Sequence, residues 1–171
     1  IDRLNMIIGD LLTLVSMDSK SMRLNRTNFS LAQVVTDTAH RLALVAEKNH
    51  QDLKLSLSDR CELYADNAKL TQVVYNLMEN ALKYGDGTGI SVELRHQDDG
   101  VCIVVRNKGE LLPEKELPYI FRSYWRGSNA SDRDGSGIGL YTAHEIVKKL
   151  GGTILARRLE ESSEMEFIIC L

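Results

Sequence analysis

Asn76-Leu77-Met78-Glu79-Asn80-Ala81-Leu82-Lys83-Tyr84 is the stretch whose reading decides the fold. Placed at about 100° per residue, Leu70, Val73, Val74, Leu77, Met78 and Ala81 cover one side of a helix running from Asp66 to Tyr84, a core face. Gln72, Asn76, Asn80 and Lys83 gather within about 80° on another side. A solvated face is ordinarily filled with Glu, Lys or Gln, and each mid-helix Asn is less favourable than Ala by up to ~0.7 kcal/mol. Two asparagines at i, i+4 therefore suggest a task. Carboxamide oxygens suit a hard cation such as Mg²⁺, which prefers oxygen ligands and is usually shared with substrate phosphates, and Lys83 adds a positive charge one turn on. Taken alone, the pattern also fits a plain solvated face.

Outward from that helix, two strands follow it, Ile90 to Arg95 and Val101 to Arg106, turned by Asp98-Asp99-Gly100. The second is apolar on both faces and therefore central. Before the helix, Leu31 to Lys48 reads as another helix with Ser30 as N-cap, and the alternation of Leu53, Leu55 and Leu57 as a strand. After the strands, residues 107–137 show little periodicity and hold Pro113, Pro118 and a polar run, Gly127 to Asp134; a connection of that length is usually a lid or binding loop. A helix from Ile138 to Leu150, ended by Gly151-Gly152, leads to strands Thr153 to Arg158 and Met165 to Cys170. The sum is an α+β domain, a mixed sheet with helices on one face. At the start, Ile1, Leu4, Ile8, Leu11, Val15 and Met22 mark a heptad seam, which suits either packing against other helices or an amphipathic helix on the domain's own core.

Composition narrows the function. The 171 residues carry 21 Lys+Arg against 24 Asp+Glu, a net charge of −3 that argues against a nucleic-acid partner. No apolar run is long enough for a membrane span or signal peptide. The chain opens on Ile1 rather than methionine, so it reads as a piece of a longer protein that could carry either. Cys61, Cys102 and Cys170 are odd in number and widely spaced, which reads as three unpaired, buried apolar residues in a reducing compartment.

Two further motifs carry chemistry. Gly135-Ser136-Gly137-Ile138-Gly139-Leu140 runs into a helix start, where unpaired N–H groups and the positive dipole end favour an anion and missing side chains allow close approach. It is neither a dinucleotide fingerprint nor a P-loop, and a hinge or tight corner is the alternative. Asn107-Lys108-Gly109 closes the central strand; a carboxamide there can pair with adenine through one acceptor and one donor, or be an ordinary turn.

Taken in order, these features resemble the catalytic ATP-binding domain of bacterial sensor histidine kinases, within the superfamily that includes gyrase, a heat-shock chaperone and the mismatch-repair ATPases. Asn76 to Tyr84 resembles the N box, Ile120-Phe121-Arg122-Ser123-Tyr124-Trp125-Arg126-Gly127 the F box, and Gly135 to Leu140 the second glycine box. The likeness is strong from Asp66 onward, and Leu4 to Ser16 resembles the second helix of the dimerisation and phosphoacceptor bundle. The resemblance implies a two-layer α/β sandwich of the Bergerat ATP-binding type with an N-terminal helical arm, residues 1–24 being bundle and 25–171 the catalytic domain. It implies that Asn76 and Asn80 hold Mg²⁺, that Lys83 and Arg126 meet the ATP phosphates, and that Tyr84 lies along the adenine. Asn107 and Gly109 would lie at the base, and Gly135, Gly137, Ile138, Gly139 and Leu140 would wrap the triphosphate, with Arg122 a further phosphate contact or a surface charge. The activity implied is transfer of the γ-phosphoryl group to a bundle histidine and then to a response-regulator aspartate, by a homodimeric, membrane-anchored parent whose catalytic part is cytoplasmic and does not itself touch the membrane.

Two departures stand out. The family's first glycine box usually reads Asp-x-Gly-x-Gly, whereas here Asn107 replaces the Asp and Leu111 the second glycine. Asn keeps an acceptor without the charge, and a charge-assisted bond is roughly twice as strong as a neutral one, so weaker and less adenine-selective binding is expected. The phosphoacceptor motif is also missing: His40, His50, His96 and His144 do not carry it. A signalling scaffold or pseudokinase with weak ATP binding is the alternative. A hydrolytic clamp is disfavoured, because the general-base Glu of the hydrolysing members corresponds to Asn76, which cannot take a proton.

Overall fold

The computed structural model describes residues 23–58, 61–97, 100–130 and 135–171. The heptad segment, Asp98-Asp99 and the end of the polar run lie outside them.

The chain forms β1 (Thr27–Ser30), α1 (Leu31–Lys48), β2 (Asp52–Ser56), β3 (Glu62–Ala65), α2 (Asn67–Tyr84), β4 (Gly89–Gln97), β5 (Gly100–Lys108), α3 (Gly139–Leu150), β6 (Thr153–Leu159) and β7 (Glu164–Cys170). Between β5 and α3 lie two short 3-10 turns, Glu114–Tyr119 and Ser128–Ala130. Five strands make one sheet in the order β2-β4-β5-β7-β6. Its β2–β4 pair is parallel and the others are antiparallel, so the sheet is mixed and β5 is its centre.

Alternation along β5 assigns the two sheet faces. Val101, Ile103 and Val105 join Phe167, Ile169, Ile90 and Val92 in a core closed by the apolar sides of the three helices. Leu70, Val73, Val74, Leu77, Met78 and Ala81 of α2 are all fully buried there. On the opposite face Arg106 pairs with Glu166 at 2.7 Å and with Glu93 at 3.3 Å, and Arg95 pairs with Glu93 at 2.7 Å. The hydrogen bond from Arg95 is the main reason the Glu93 carboxyl sits below its ordinary value.

A small second sheet, β1 antiparallel to β3, escaped the sequence reading. Its strands are four residues each and too short for a visible alternation. Its role is to start the helices. Ser30, at the end of β1, caps α1 by accepting from the Gln33 N–H, and Asp66, just after β3, caps α2 by accepting from the Lys69 N–H. The Leu31 N–H donates to the Cys61 carbonyl at 2.8 Å, so the two helix starts are held side by side.

The cysteine expectation is corrected. Cys102 and Cys170 are directly opposite in the β5–β7 ladder, with Cα atoms 4.2 Å apart, and form a disulfide; only Cys61 is a free, buried thiol. Neighbouring Val101 and Leu171 exchange both backbone bonds, which makes the cysteines a non-hydrogen-bonded pair, the closer kind, at about 4.5 Å. Sequence spacing carries no trace of a partner set by register. The inference to a reducing compartment rested on unpaired thiols and loses its basis.

Asp66 is 6% exposed and holds two backbone donors, Lys69 N–H at 3.0 Å and Asn25 N–H at 2.9 Å. Asp66→Ala is expected to cost about 2 kcal/mol in urea unfolding, one cap plus one buried donor left unpaired; a loss under about 0.5 kcal/mol would contradict the assigned role.

Candidate nucleotide-binding site

Burial of α2's apolar side fixes the helix's rotation and leaves Asn76, Asn80 and Lys83 half-buried along one edge. That edge borders a cleft of about 640 Å³ whose other walls are the α3 start, the Trp125–Gly127 turn and the end of β5. The floor is apolar, with Leu112, Ile120, Met165 and Phe167 lining it, all 8% exposed or less.

The two glycine-box and N-box segments meet directly. Asn76 Nδ2 donates to the Gly139 carbonyl at 3.0 Å, which ties α2 to the first residue of α3 across 63 positions of sequence. Gly135 lies against the Lys83 side chain. Gly137 has φ +75, and a Cβ there would sit 2.5 Å from the Trp125 carbonyl oxygen, so the corner admits no side chain. Ser30 and Asp66 cap the other two helices, whereas α3 has no side-chain cap. Its leading N–H groups are thus left at the cleft mouth with the positive end of the helix dipole.

Arg126 also lines the cleft and donates to the Ala130 carbonyl, four residues on. Lys83 Nζ lies 5.4 Å from the Tyr84 ring centroid. The Tyr75 hydroxyl donates to Glu79 Oε1 at 3.1 Å; burial, and then the adjacent carboxylate, push the Tyr75 phenol above its ordinary value and keep it a donor.

Of the residues singled out from sequence, Asn76, Asn80, Lys83, Tyr84, Asn107, Arg126, Gly135, Gly137, Gly139 and Leu140 line this one cleft. The other three stand elsewhere. Ile138 is 2% exposed, in the core at the α3 cap. Gly109 packs under the end of α2, where a Cβ would approach the Tyr84 carbonyl to 3.0 Å. Arg122 is exposed and lies over the Tyr119 ring at 4.5 Å. Sequence reasoning assigned no role to Trp125, Glu79, Ser136 or Asn129, which also line the cleft. Met165 and Phe167 fall in the last strand read from sequence, and nothing in that pattern marks them as a ligand floor.

Comparison with known proteins agrees with this arrangement. Residues 65–171 match the family described as histidine kinase-, DNA gyrase B-, and HSP90-like ATPase. The chain belongs to this ATPase family. Among relatives, the sensor histidine kinase WalK of Bacillus subtilis is 31% identical over 166 residues, covering 93% of this chain and 27% of WalK. The chain therefore spans about a quarter of that relative's length. Full-length ShkA in complex with AMPPNP superposes with a TM-score of 0.88 at 19% identity, over 99% of this chain and 35% of that one. Histidine kinase ThkA in complex with response regulator protein TrrA gives 0.80 at 22% identity, over 99% of this chain and 47% of that one. Such likenesses fix the fold: this ATPase-family chain has the α+β architecture expected of it.

Trp125 is the chain's single tryptophan and reports on the glycine corner. Gly137→Ala is expected to shift its emission in the ligand-free chain and to cost about 1–3 kcal/mol on urea unfolding. Unchanged emission and stability would show that the corner has room.

Proposed function

We propose that this chain is the ATP-binding catalytic part of a two-component sensor histidine kinase, with residues 25–171 as catalytic domain and residues 1–24 as the end of a dimerisation helix. The observation that carries it is the cleft itself: a carboxamide edge with Lys83 faces an uncapped helix start across an apolar floor, with Arg126 at the rim. WalK and ThkA, both named histidine kinases, support the reading, as does ShkA, which holds AMPPNP; ThkA is in complex with a response regulator.

The residues fit a magnesium ion shared with phosphates. Asn76 and Asn80 stand one turn apart on the cleft edge, and with Asn76 Nδ2 engaged on Gly139 the oxygen is the remaining atom of that fork. Among the described residues no cluster of three His, Cys, Asp or Glu could hold a metal without phosphate oxygens. The ion would supply charge neutralisation between phosphates.

Phosphoryl transfer has a loose transition state that asks the protein chiefly for alignment and charge. The α3 N–H groups and its dipole hold phosphate oxygens, while Lys83 and Arg126 offset their charge. Asn76 orients and accepts no proton, which favours a protein nucleophile over water. The acceptor is a histidine outside this chain, since none of the four here carries the phosphoacceptor pattern: His40, His50 and His96 are exposed, and His144 stacks on Phe121. From that histidine the group passes to a response-regulator aspartate. The parent is a homodimer anchored in the cell membrane; no helix among the described residues is long and apolar enough to cross one.

With Mg·ATP and the parent's dimerisation bundle supplied in trans, labelled phosphate is expected on the bundle as an acid-labile phosphohistidine and not on this chain. A chelator should abolish it, and Asn80→Ala should weaken Mg·ATP binding by at least about tenfold, the loss of one good contact. Label released only as inorganic phosphate would point to a hydrolase instead.

A further inference from the structure

Asn107 is 3% exposed, yet it lines the cleft. Among the described residues its carboxamide makes one hydrogen bond, from Nδ2 to the neighbouring Lys108 carbonyl, and that bond is long at 3.5 Å. A bond at that distance holds the fork weakly, so exchanging Oδ1 and Nδ2 by a half-turn about the terminal torsion loses little. A buried carboxamide with both ends uncommitted is therefore available to a ligand of either polarity.

Its position says which part of a ligand it meets. The Asn107 Cβ lies 3.7 Å from where a Cβ would stand on Gly85, the cap of α2, nine residues beyond Asn76. At about 1.5 Å per residue that is roughly 13 Å of helix. Phosphates at Asn76 and the α3 start would thus bring the far end of an extended nucleoside triphosphate, its base, to Asn107, against Met165, the register partner of Asn107 on β7.

We propose that Asn107 makes this cleft accept purine nucleoside triphosphates of both kinds, 6-oxopurines such as guanine as well as the 6-aminopurine adenine; the proposal rests on the nucleotide reading above. Adenine offers an amino donor beside a ring acceptor, and guanine offers a carbonyl acceptor beside a ring N–H donor. One carboxamide meets the first with Oδ1 to the amino group and Nδ2 to the ring nitrogen, and meets the second with the fork reversed. A carboxylate has acceptors only. On either purine it would accept from one donor and set its second, charged oxygen against the neighbouring acceptor, so it loses the second bond that the carboxamide makes with both. Pyrimidines carry similar two-atom edges on a smaller ring and fall short of Asn107 when their phosphates are seated.

Calorimetric titration with the magnesium complexes of ATP, GTP and CTP tests this on the chain as it is. ATP and GTP are expected to bind within about tenfold of each other, and CTP at least about tenfold more weakly than either. Asn107→Leu, which removes donor and acceptor at similar volume, is expected to weaken ATP and GTP each by at least about tenfold and to leave CTP unchanged. GTP weaker than ATP by more than that margin in the unaltered chain would overturn the proposal and leave the nucleotide reading standing. Equal binding of all three would overturn it too, because the phosphates alone would then be read. Unaltered ATP and GTP binding in a folded Asn107→Leu variant would remove Asn107 as its cause. No binding of any of the three would remove both readings.

Discussion

The rotation of α2 about its own axis is the constraint from which the site follows. Six apolar side chains on one side of it are buried without residue, and burying a Val, Leu or Met is worth about 1.5–3 kcal/mol each. Turning the helix to hide Asn76 and Asn80 would expose several of them and bury two carboxamides, both unfavourable. The core thus holds the carboxamide edge in place, and the cleft is organised before any ligand arrives. The same logic fixes the floor: alternation on β7 that puts Phe167 in the core also puts Met165 and Phe167 beneath the cleft.

How much was legible varied with how far each signal reached. The three helices, the cap at Ser30, the αL stop at Gly151 and the central place of β5 all came from local patterns, and they stand, while Asp66, read as the first residue of its helix, is its cap. Ten of the site candidates share one cleft because two of the motifs lie at helix ends or edges whose facing is set by periodicity. What went unread depended on pairing across sequence. The β1–β3 sheet joins strands some 35 positions apart, and the Cys102–Cys170 bridge joins residues 68 apart. Neither leaves a local trace. Gly109 and Ile138 illustrate a different difficulty, since a glycine or an isoleucine inside a ligand motif can serve the scaffold: one lets β5 end close under α2, the other seats α3 in the core.

The corner at Gly137 joins these two kinds of information. Its positive φ suits glycine locally, but the reason no Cβ fits is distant, the Trp125 backbone that stands against it. The tryptophan turn, the glycine corner and the Asn76–Gly139 bond form one continuous rim, so a change in loop packing is felt at the α3 start and at the carboxamide edge together.

The charge layout of the cleft then has a physical sense. Lys83, Arg126 and the α3 dipole bring positive charge to the cleft, whereas the buried polar group on the sheet floor, Asn107, is neutral. A buried carboxylate needs a partner or several donors to offset its desolvation, and among the described residues the hydrogen bonds around Asn107 offer it only the weak contact with the Lys108 carbonyl, an acceptor. A carboxylate there would have to wait for its ligand to be satisfied; a carboxamide does not, because its desolvation is smaller. For a nucleotide bound as proposed, neutrality at Asn107 would shift the balance of binding free energy from the base toward the phosphates, and it makes the cleft easier to keep folded.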